Sequence, residues 1–253
     1  MKPILGREGR AALESCRGRG ALLAFDFDGT LAPIVADPAR AALRPSTRRL
    51  LARLAQRHPC AVLSGRSPED LAERLQGIEL VERVGNHGVA YGLTPAARAL
   101  VCARVARWRV RMSERLAGRP GIVIEDNGLS LAVHYRLARD RDAARRAMRR
   151  AIATLRGARA LDGKCVVNVL PAGKADKGRV LFRLARTRRA SHVLFVGDDL
   201  TDEVAFAMLV APYYVTVRVG RGTASAARFS LNGQRRIDEV LLEGGDVGGR
   251  LGA

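Results

Sequence analysis

The sequence predicts an α/β fold whose parallel sheet carries its chemistry along one edge, and three features predict it. The apolar runs Ala21 to Phe25, Ala61 to Leu63 and Val193 to Val196 each read as short buried strands. Each run stops at polar groups: Asp26 and Asp28, then Ser64, then Asp198 and Asp199. A helix should open directly after Ser64, because Ser67 can cap it, Pro68 suits its first position and Glu69 and Asp70 suit its positive end. In open α/β sheets ligands gather beyond the carboxyl ends of the strands, so parallel strands would bring these polar groups together.

Within Phe25-Asp26-Phe27-Asp28-Gly29-Thr30-Leu31 two carboxylates fall where the strand must turn. Like charges so close repel unless a cation sits between them, which argues for a divalent metal preferring oxygen, magnesium above others. A lone Asp-x-Asp is also compatible with a solvated loop. The second acidic cluster, Asp198-Asp199-Leu200-Thr201-Asp202-Glu203, repeats the design and weighs against that alternative. Ser64 can donate a hydrogen bond to phosphate, and the block Gly173-Lys174-Ala175-Asp176-Lys177-Gly178 places compact positive charge near a helix start.

The chain has 253 residues, 47% hydrophobic and 27% charged, enough for a full core and a smaller second domain. No apolar run approaches the span of a membrane helix, and Met1 to Glu8 lacks the apolar centre of a secretory signal, so no membrane partner and a cytoplasmic location are expected. Cys16, Cys60, Cys102 and Cys165 are scattered and indicate neither a zinc site nor a disulfide framework. A net charge of +19 would by itself suggest a polyanion as partner. The basic residues are spread along the whole chain, and an aromatic content of 4% leaves few platforms for stacking bases. We therefore expect no specific nucleic-acid partner, only weak salt-sensitive adsorption to polyanions.

A long insert interrupts the core between Gly92 and about Pro171. Residues 1–92 and 172–253 read as one core domain and 93–171 as an α/β cap. Within the cap, Pro95 to Leu116 and Asp140 to Leu155 read as helices, and Ile122 to Glu125, Leu129 to Tyr135 and Cys165 to Leu170 as strands. Ala144, Met148, Ile152 and Leu155 form the packing stripe of the second helix. Asp126-Asn127-Gly128 carries turn chemistry for a hairpin, with Glu125 and Asn127 near its tip. A cap joined by two crossings can close over a ligand and read the part that is not phosphate. The glycine-rich tail from Gly244 to Gly249 reads as mobile, with no chemistry assigned.

Taken in order, the Asp-x-Asp, Ser, Lys and acidic blocks resemble the motifs of the haloacid dehalogenase-like (HAD) phosphatase superfamily, which implies a Rossmann-like core with an inserted cap. The resemblance implies that Asp26 is the nucleophile, Asp28 the general acid and base, and Ser64 and Lys177 the phosphate holders. It further implies that Asp26, the backbone carbonyl of Asp28 and Asp198 bind Mg²⁺, with Asp199 and Asp202 auxiliary. These roles agree with the chemistry, since a phosphate monoester dianion repels an attacking carboxylate unless positive charge surrounds it.

Asp26 to Ile34, Ser64 to Ser67, Gly85-Asn86-His87-Gly88, Gly128 to Arg136, Asp176 to Gly178, Gly197 to Glu203 and Thr223 to Leu231 narrow the resemblance to the trehalose-6-phosphate phosphatase family. It covers roughly residues 20 to 243. The substrate-binding residues it implies are Gly29, Thr30, Gly65, Arg66, His87, Glu125, Asn127, Arg136 and Asn168. Arg66 and Arg136 read equally well as ion-paired or solvated side chains, and His87 as a packed structural residue.

Three cap positions depart from the family pattern: Asn127 replaces Lys, Asn168 replaces Glu and Leu170 replaces Arg. The change is either a coordinated adjustment that still binds trehalose 6-phosphate or a pocket retuned to another disaccharide, pseudo-disaccharide or cyclitol phosphate. Most polar partners remain, which favours the first. The expected function is Mg²⁺-dependent hydrolysis of trehalose 6-phosphate by a monomer. A non-catalytic basic binding protein is the competing class, and the intact acidic motifs argue against it.

Overall fold

The computed structural model describes residues 1–18, 20–35, 37–173, 176–220 and 224–245. Lys174, Thr223 and the tail beyond Gly245 lie outside the described residues. Seven strands form one parallel sheet in the order β1 (Lys2–Pro3), β11 (Phe229–Leu231), β10 (Tyr214–Val219), β9 (His192–Gly197), β2 (Ala21–Asp26), β3 (Cys60–Leu63) and β4 (Glu82–Val84). The central strands are apolar throughout because helices cover both faces. Leu23 and Phe25 pack with residues of α1 (Arg7–Ser15), α2 (Pro45–Ala55), α3 (Pro68–Arg74) and α8 (Ile237–Gly245). Leu22 and Ala24, one step out of phase, pack with α6 (Lys177–Thr187) and α7 (Leu200–Met208). Ser67 caps α3 through its side chain, with Pro68 at the first helical position, as the sequence predicts.

The register decides where the polar groups fall. β2 lies between β9 and β3, with Phe25 beside Val196 and Asp26 beside Leu63. Asp26, Ser64 and Asp198 therefore leave the sheet at the same edge, as the apolar runs imply.

The insert folds into a second, antiparallel sheet in the order β5 (Val123–Asp126), β6 (Leu131–His134), β8 (Val166–Pro171) and β7 (Ala158–Gly163). Helices α4 (Pro95–Arg115) and α5 (Arg141–Ala153) cover one of its faces, and Ala144, Met148, Ile152 and Leu155 are buried as their spacing implies. The expected helices and strands are present with ends shifted by a residue or two. Strand β7 is the exception, absent from the sequence reading because Ala158-Arg159-Ala160 carries little β preference.

Directly opposed residues of antiparallel strands share a face. Ile124, Leu131, Val133, Val167 and Val169 lie on the helix side, where Asp126 pairs with Arg109 of α4 and Asp162 with Arg145 and Arg149 of α5. Glu125, His134, Asn168, Leu170, Arg159 and Gly163 consequently share the other face. That face looks toward the parallel sheet's polar edge, since a Cβ on Gly163 would stand 2.5 Å from Asp199 Oδ2. Among the described residues no helix is long and apolar enough to cross a membrane.

Candidate active site

Asp26 closes β2 and is almost wholly buried. The first residue of α6, Lys177, donates from Nζ to Asp26 Oδ1 at 2.6 Å and to Asp202 Oδ1 at 2.8 Å. Asp202 stands in the first turn of α7, and its Oδ2 accepts the backbone N–H groups of Asp198 and Asp199 at 3.0 and 3.1 Å. It packs so closely on Gly197 that a Cβ there would lie 2.4 Å from its carboxyl carbon.

One oxygen from each of Asp26, Asp198 and Asp202 lies within 4.8 Å of the others. Burial pushes Asp26 well above the usual carboxylate range, and Asp202 and Asp198 add to the shift against the pull of Lys177. Burial likewise pushes Asp198 up to about 8, reinforced by Asp202 and Asp199. Burial opposes the charge of Lys177, but the carboxylates of Asp202 and Asp26 outweigh it and raise its pKa. Three carboxylates around one ammonium leave a deficit of positive charge. Asp198 Oδ1 is also buried without a hydrogen-bond partner. An all-oxygen set of this kind fits a hard divalent cation. Both Asp202 oxygens are engaged, so Asp26 and Asp198 are the side chains left to hold one, with Asp202 supporting them. Asp199 instead faces the β7–β8 hairpin; burial raises its pKa, opposed by the backbone N–H groups of Leu200 and Lys164.

Several expected substrate contacts have other partners. Gly29, at φ +86, is the seat of Asp198: a Cβ there would stand 2.2 Å from Asp198 Oδ2. Thr30 is fully buried, and its carbonyl accepts from Gln234 Nε2 at 3.0 Å. For Arg66 the ion-paired alternative holds. Its guanidinium clasps Asp28 in two bonds of 2.7 and 2.6 Å, bonds Asp70 at 2.8 Å and reaches the Pro38 carbonyl at 2.9 Å. This occupies both oxygens of Asp28, the expected proton carrier. Ser64 Oγ accepts the Arg66 N–H at 3.2 Å, which leaves its own hydroxyl hydrogen to donate. Arg136 is exposed just beyond β6, and its side chain makes no hydrogen bond or ion pair among the described residues.

His87 is held by its backbone N–H on the Ser64 carbonyl at 2.8 Å and adopts φ +54. Its ring lies over Gly65, where a Cβ would approach Nε2 to 2.6 Å, so Gly65 serves the packing of that ring. Both ring nitrogens are buried without a hydrogen-bond partner. Burial, then the nearby charge of Lys177, lowers its pKa to about 3, which keeps the imidazole neutral. Beside it stands Asn168 of β8, whose Nδ2 donates to the Leu161 carbonyl at 3.3 Å. Asn86 Oδ1 accepts from Ser130 Oγ at 2.7 Å, a direct bond between the two units. Glu125 bonds His134 Nε2 at 2.7 Å on the cleft face, and the largely buried Asn127 lies in the β5–β6 turn.

The sequence reading missed Lys164 and Arg159, the two cations that strand β7 and its hairpin bring to the cleft. The turn of that hairpin is Lys164-Cys165, with Cys165 at φ +62, and Asp162-Gly163, an Asp-Gly pair that would have signalled a hairpin two residues early, ends the strand instead.

A sequence profile described as trehalose-phosphatase matches residues 24–233. The trehalose-phosphate phosphatase of Mycobacterium bovis is 36% identical over 235 residues, covering 85% of this chain and 59% of that protein. The chain thus spans 59% of the length of this relative. The C-terminal domain of C. albicans trehalose-6-phosphate phosphatase superposes with a TM-score of 0.80 over 98% of this chain and 99% of that one, at 24% identity, a likeness of fold. Aspergillus fumigatus trehalose-6-phosphate phosphatase superposes with a TM-score of 0.64 over 97% of this chain and 99% of that one, at 26% identity. The motifs that meet at the sheet edge all fall within the matched span, and the chain belongs to the trehalose-phosphatase family.

Proposed function

We propose that this chain hydrolyses trehalose 6-phosphate to trehalose and inorganic phosphate through an aspartyl-phosphate on Asp26. The observation that carries the reading is Asp26 itself: one oxygen is held by buried Lys177, and the residue stands with Asp198 and Asp202 in an acidic cluster of three carboxylates. Residues 1–92 and 172–253 act as the core and 93–171 as the cap.

In the first step the free oxygen of Asp26 bonds to phosphorus as the bond from phosphorus to the sugar oxygen breaks. Asp28 gives its proton to that leaving oxygen. In the second step water attacks phosphorus, Asp28 takes its proton, and Asp26 is released with phosphate. Arg66 positions Asp28 throughout, and Asp28 must give up at least one Arg66 bond to face the leaving oxygen. Lys177 orients Asp26 and, with the Ser64 hydroxyl, meets the phosphoryl oxygens. Asp26, Asp198 and the backbone carbonyl of Asp28 would hold Mg²⁺, which when bound neutralises charge on the transferring group.

Glu125, Asn127 and Asn168 would read the sugar. Asn at two of these places keeps hydrogen-bonding capacity without charge, which suits a neutral disaccharide. The test is phosphate release from a panel of sugar phosphates with Mg²⁺, with chelator, and with Asp26→Asn. Turnover that survives chelation or that substitution refutes the mechanism. A trehalose 6-phosphate kcat/KM no better than that of simple hexose phosphates refutes the substrate and leaves the phosphatase reading standing.

A further inference from the structure

Strand β7 has no counterpart in the sequence reading, and it carries one arginine whose setting differs from that of the other part-buried arginines. Arg44, Arg66, Arg74, Arg98 and Arg218 each hold a carboxylate, and Arg17, Arg48 and Arg83 each bond backbone carbonyls. Arg159 is half-buried yet makes no hydrogen bond or ion pair among the described residues. On its own sheet it stands directly opposite Leu170 and two residues from Leu161, neither of which can accept a hydrogen bond through its side chain. From the facing helix α6 it feels Asp176 and Arg179. Asp176 is already committed, its carboxylate accepting the Arg179 N–H at 2.9 Å to cap that helix. The third facing group, His87, is a neutral ring. Burial without a dedicated counter-charge pulls the Arg159 pKa down. Its nitrogens still reach water, so a half-buried guanidinium with no protein acceptor stands on the cleft face with its donors free for a ligand's oxygens.

We propose that Arg159 is a specificity-determining residue that binds the sugar part of the substrate, on the hydroxyl and ring oxygens that are not transferred. The inference rests on the phosphatase reading given above and assigns Arg159 to the cap's side of the ligand. Two observations point there rather than to the phosphoryl end. The register puts Arg159 on the cleft face of the cap sheet with Asn168, which lies beside His87. The phosphoryl end already has Lys177 and the acidic cluster on the opposite wall. Five N–H donors in a planar fork suit adjacent hydroxyls that offer only acceptor lone pairs in that direction.

The test compares wild type, Arg159→Leu and Arg159→Lys in the full-length chain with saturating Mg²⁺. Substrates are trehalose 6-phosphate, glucose 6-phosphate and p-nitrophenyl phosphate, which lacks a sugar, and circular dichroism checks each fold. For the best sugar phosphate, Arg159→Leu should lose about 10- to 100-fold in kcat/KM, mostly through KM. Arg159→Lys should fall between the two, and p-nitrophenyl phosphate turnover should be unchanged. Equal losses on sugar and non-sugar substrates would overturn the proposal, as would an unchanged KM for the sugar phosphate. Should Arg159→Leu not fold, Arg159→Lys alone decides, since a guanidinium that binds sugar raises KM for the sugar substrate only. If wild type prefers a sugar phosphate other than trehalose 6-phosphate, the substrate reading fails while the Arg159 ratio is still measured on the preferred sugar. A wild type with no preference for any sugar phosphate over p-nitrophenyl phosphate would sink both.

Discussion

Lys177→Met removes the cation that the fold buries between Asp26 and Asp202. The side chain is 2% exposed and holds Asp26 at 2.6 Å and Asp202 at 2.8 Å. Methionine fills the same space and removes the charge, so both carboxylates lose their shared counter-ion. Removing one partner of a buried ion pair costs about 3–5 kcal/mol. At about 2–4 °C per kcal/mol for a chain of this size, Tm should fall by about 6–20 °C in chelator. Added Mg²⁺ should recover part of that fall, because it binds the folded state alone. Asp26→Asn works in the opposite direction, since it removes one of the crowded charges. Its Tm in chelator should equal or exceed that of wild type although turnover is abolished. Combining it with Lys177→Met should recover about 0.5–3 kcal/mol of the loss. Thermal unfolding followed by circular dichroism measures all four proteins. A Lys177→Met protein melting within about 2 °C of wild type would refute the claim that Nζ holds the cluster together.

Three further outcomes are expected. Gly29→Ala puts a Cβ 2.2 Å from Asp198 Oδ2 at φ +86, so displacement of that carboxylate should lower kcat/KM by about 10²-fold and raise the Mg²⁺ concentration at half-activation. Metal titration of activity checks this. Arg66→Lys keeps the charge but loses the two-bond clasp on Asp28, so kcat should fall at least about 10-fold with a displaced pH profile and little change in KM. An unaltered pH profile would remove Arg66 as the positioning residue. Asp198 is raised in the fold, so its contribution to stability is complete below about pH 3.9 and is lost as the pH rises through about 8. In chelator Tm should therefore decline from about pH 5 to about pH 9, and Mg²⁺ should flatten the decline. A decline that Mg²⁺ leaves unaltered would place the cause elsewhere.

The polar ends of β2, β3 and β9 were legible because each signal is local: an apolar run with no alternation, followed by a residue that cannot stay in a dry strand. The same holds for the Ser67 cap and for the buried stripe of α5. Arg66 was half legible. Its charge and its place before a helix left two readings open, and the choice fell to Asp28 and Asp70, the first of them 38 residues distant in sequence. Gly29 and Gly65 were implied as substrate-binding residues by the family resemblance alone. Both instead make room for side chains, Asp198 and His87, brought in from elsewhere in the chain. Leu170 read as the loss of a guanidinium, and only the pairing of β7 with β8 reveals Arg159 directly across from it.

By itself, then, the order of residues determined the α/β class, the four chemical blocks and the inserted unit, since period, punctuation and charge act over a few neighbouring positions. Tertiary structure alone decided which acid meets Lys177, which arginine clasps Asp28 and which face of the cap sheet looks into the cleft. Those outcomes depend on strand order and register, and a shift of one residue in pairing turns every side chain of a strand to the opposite face.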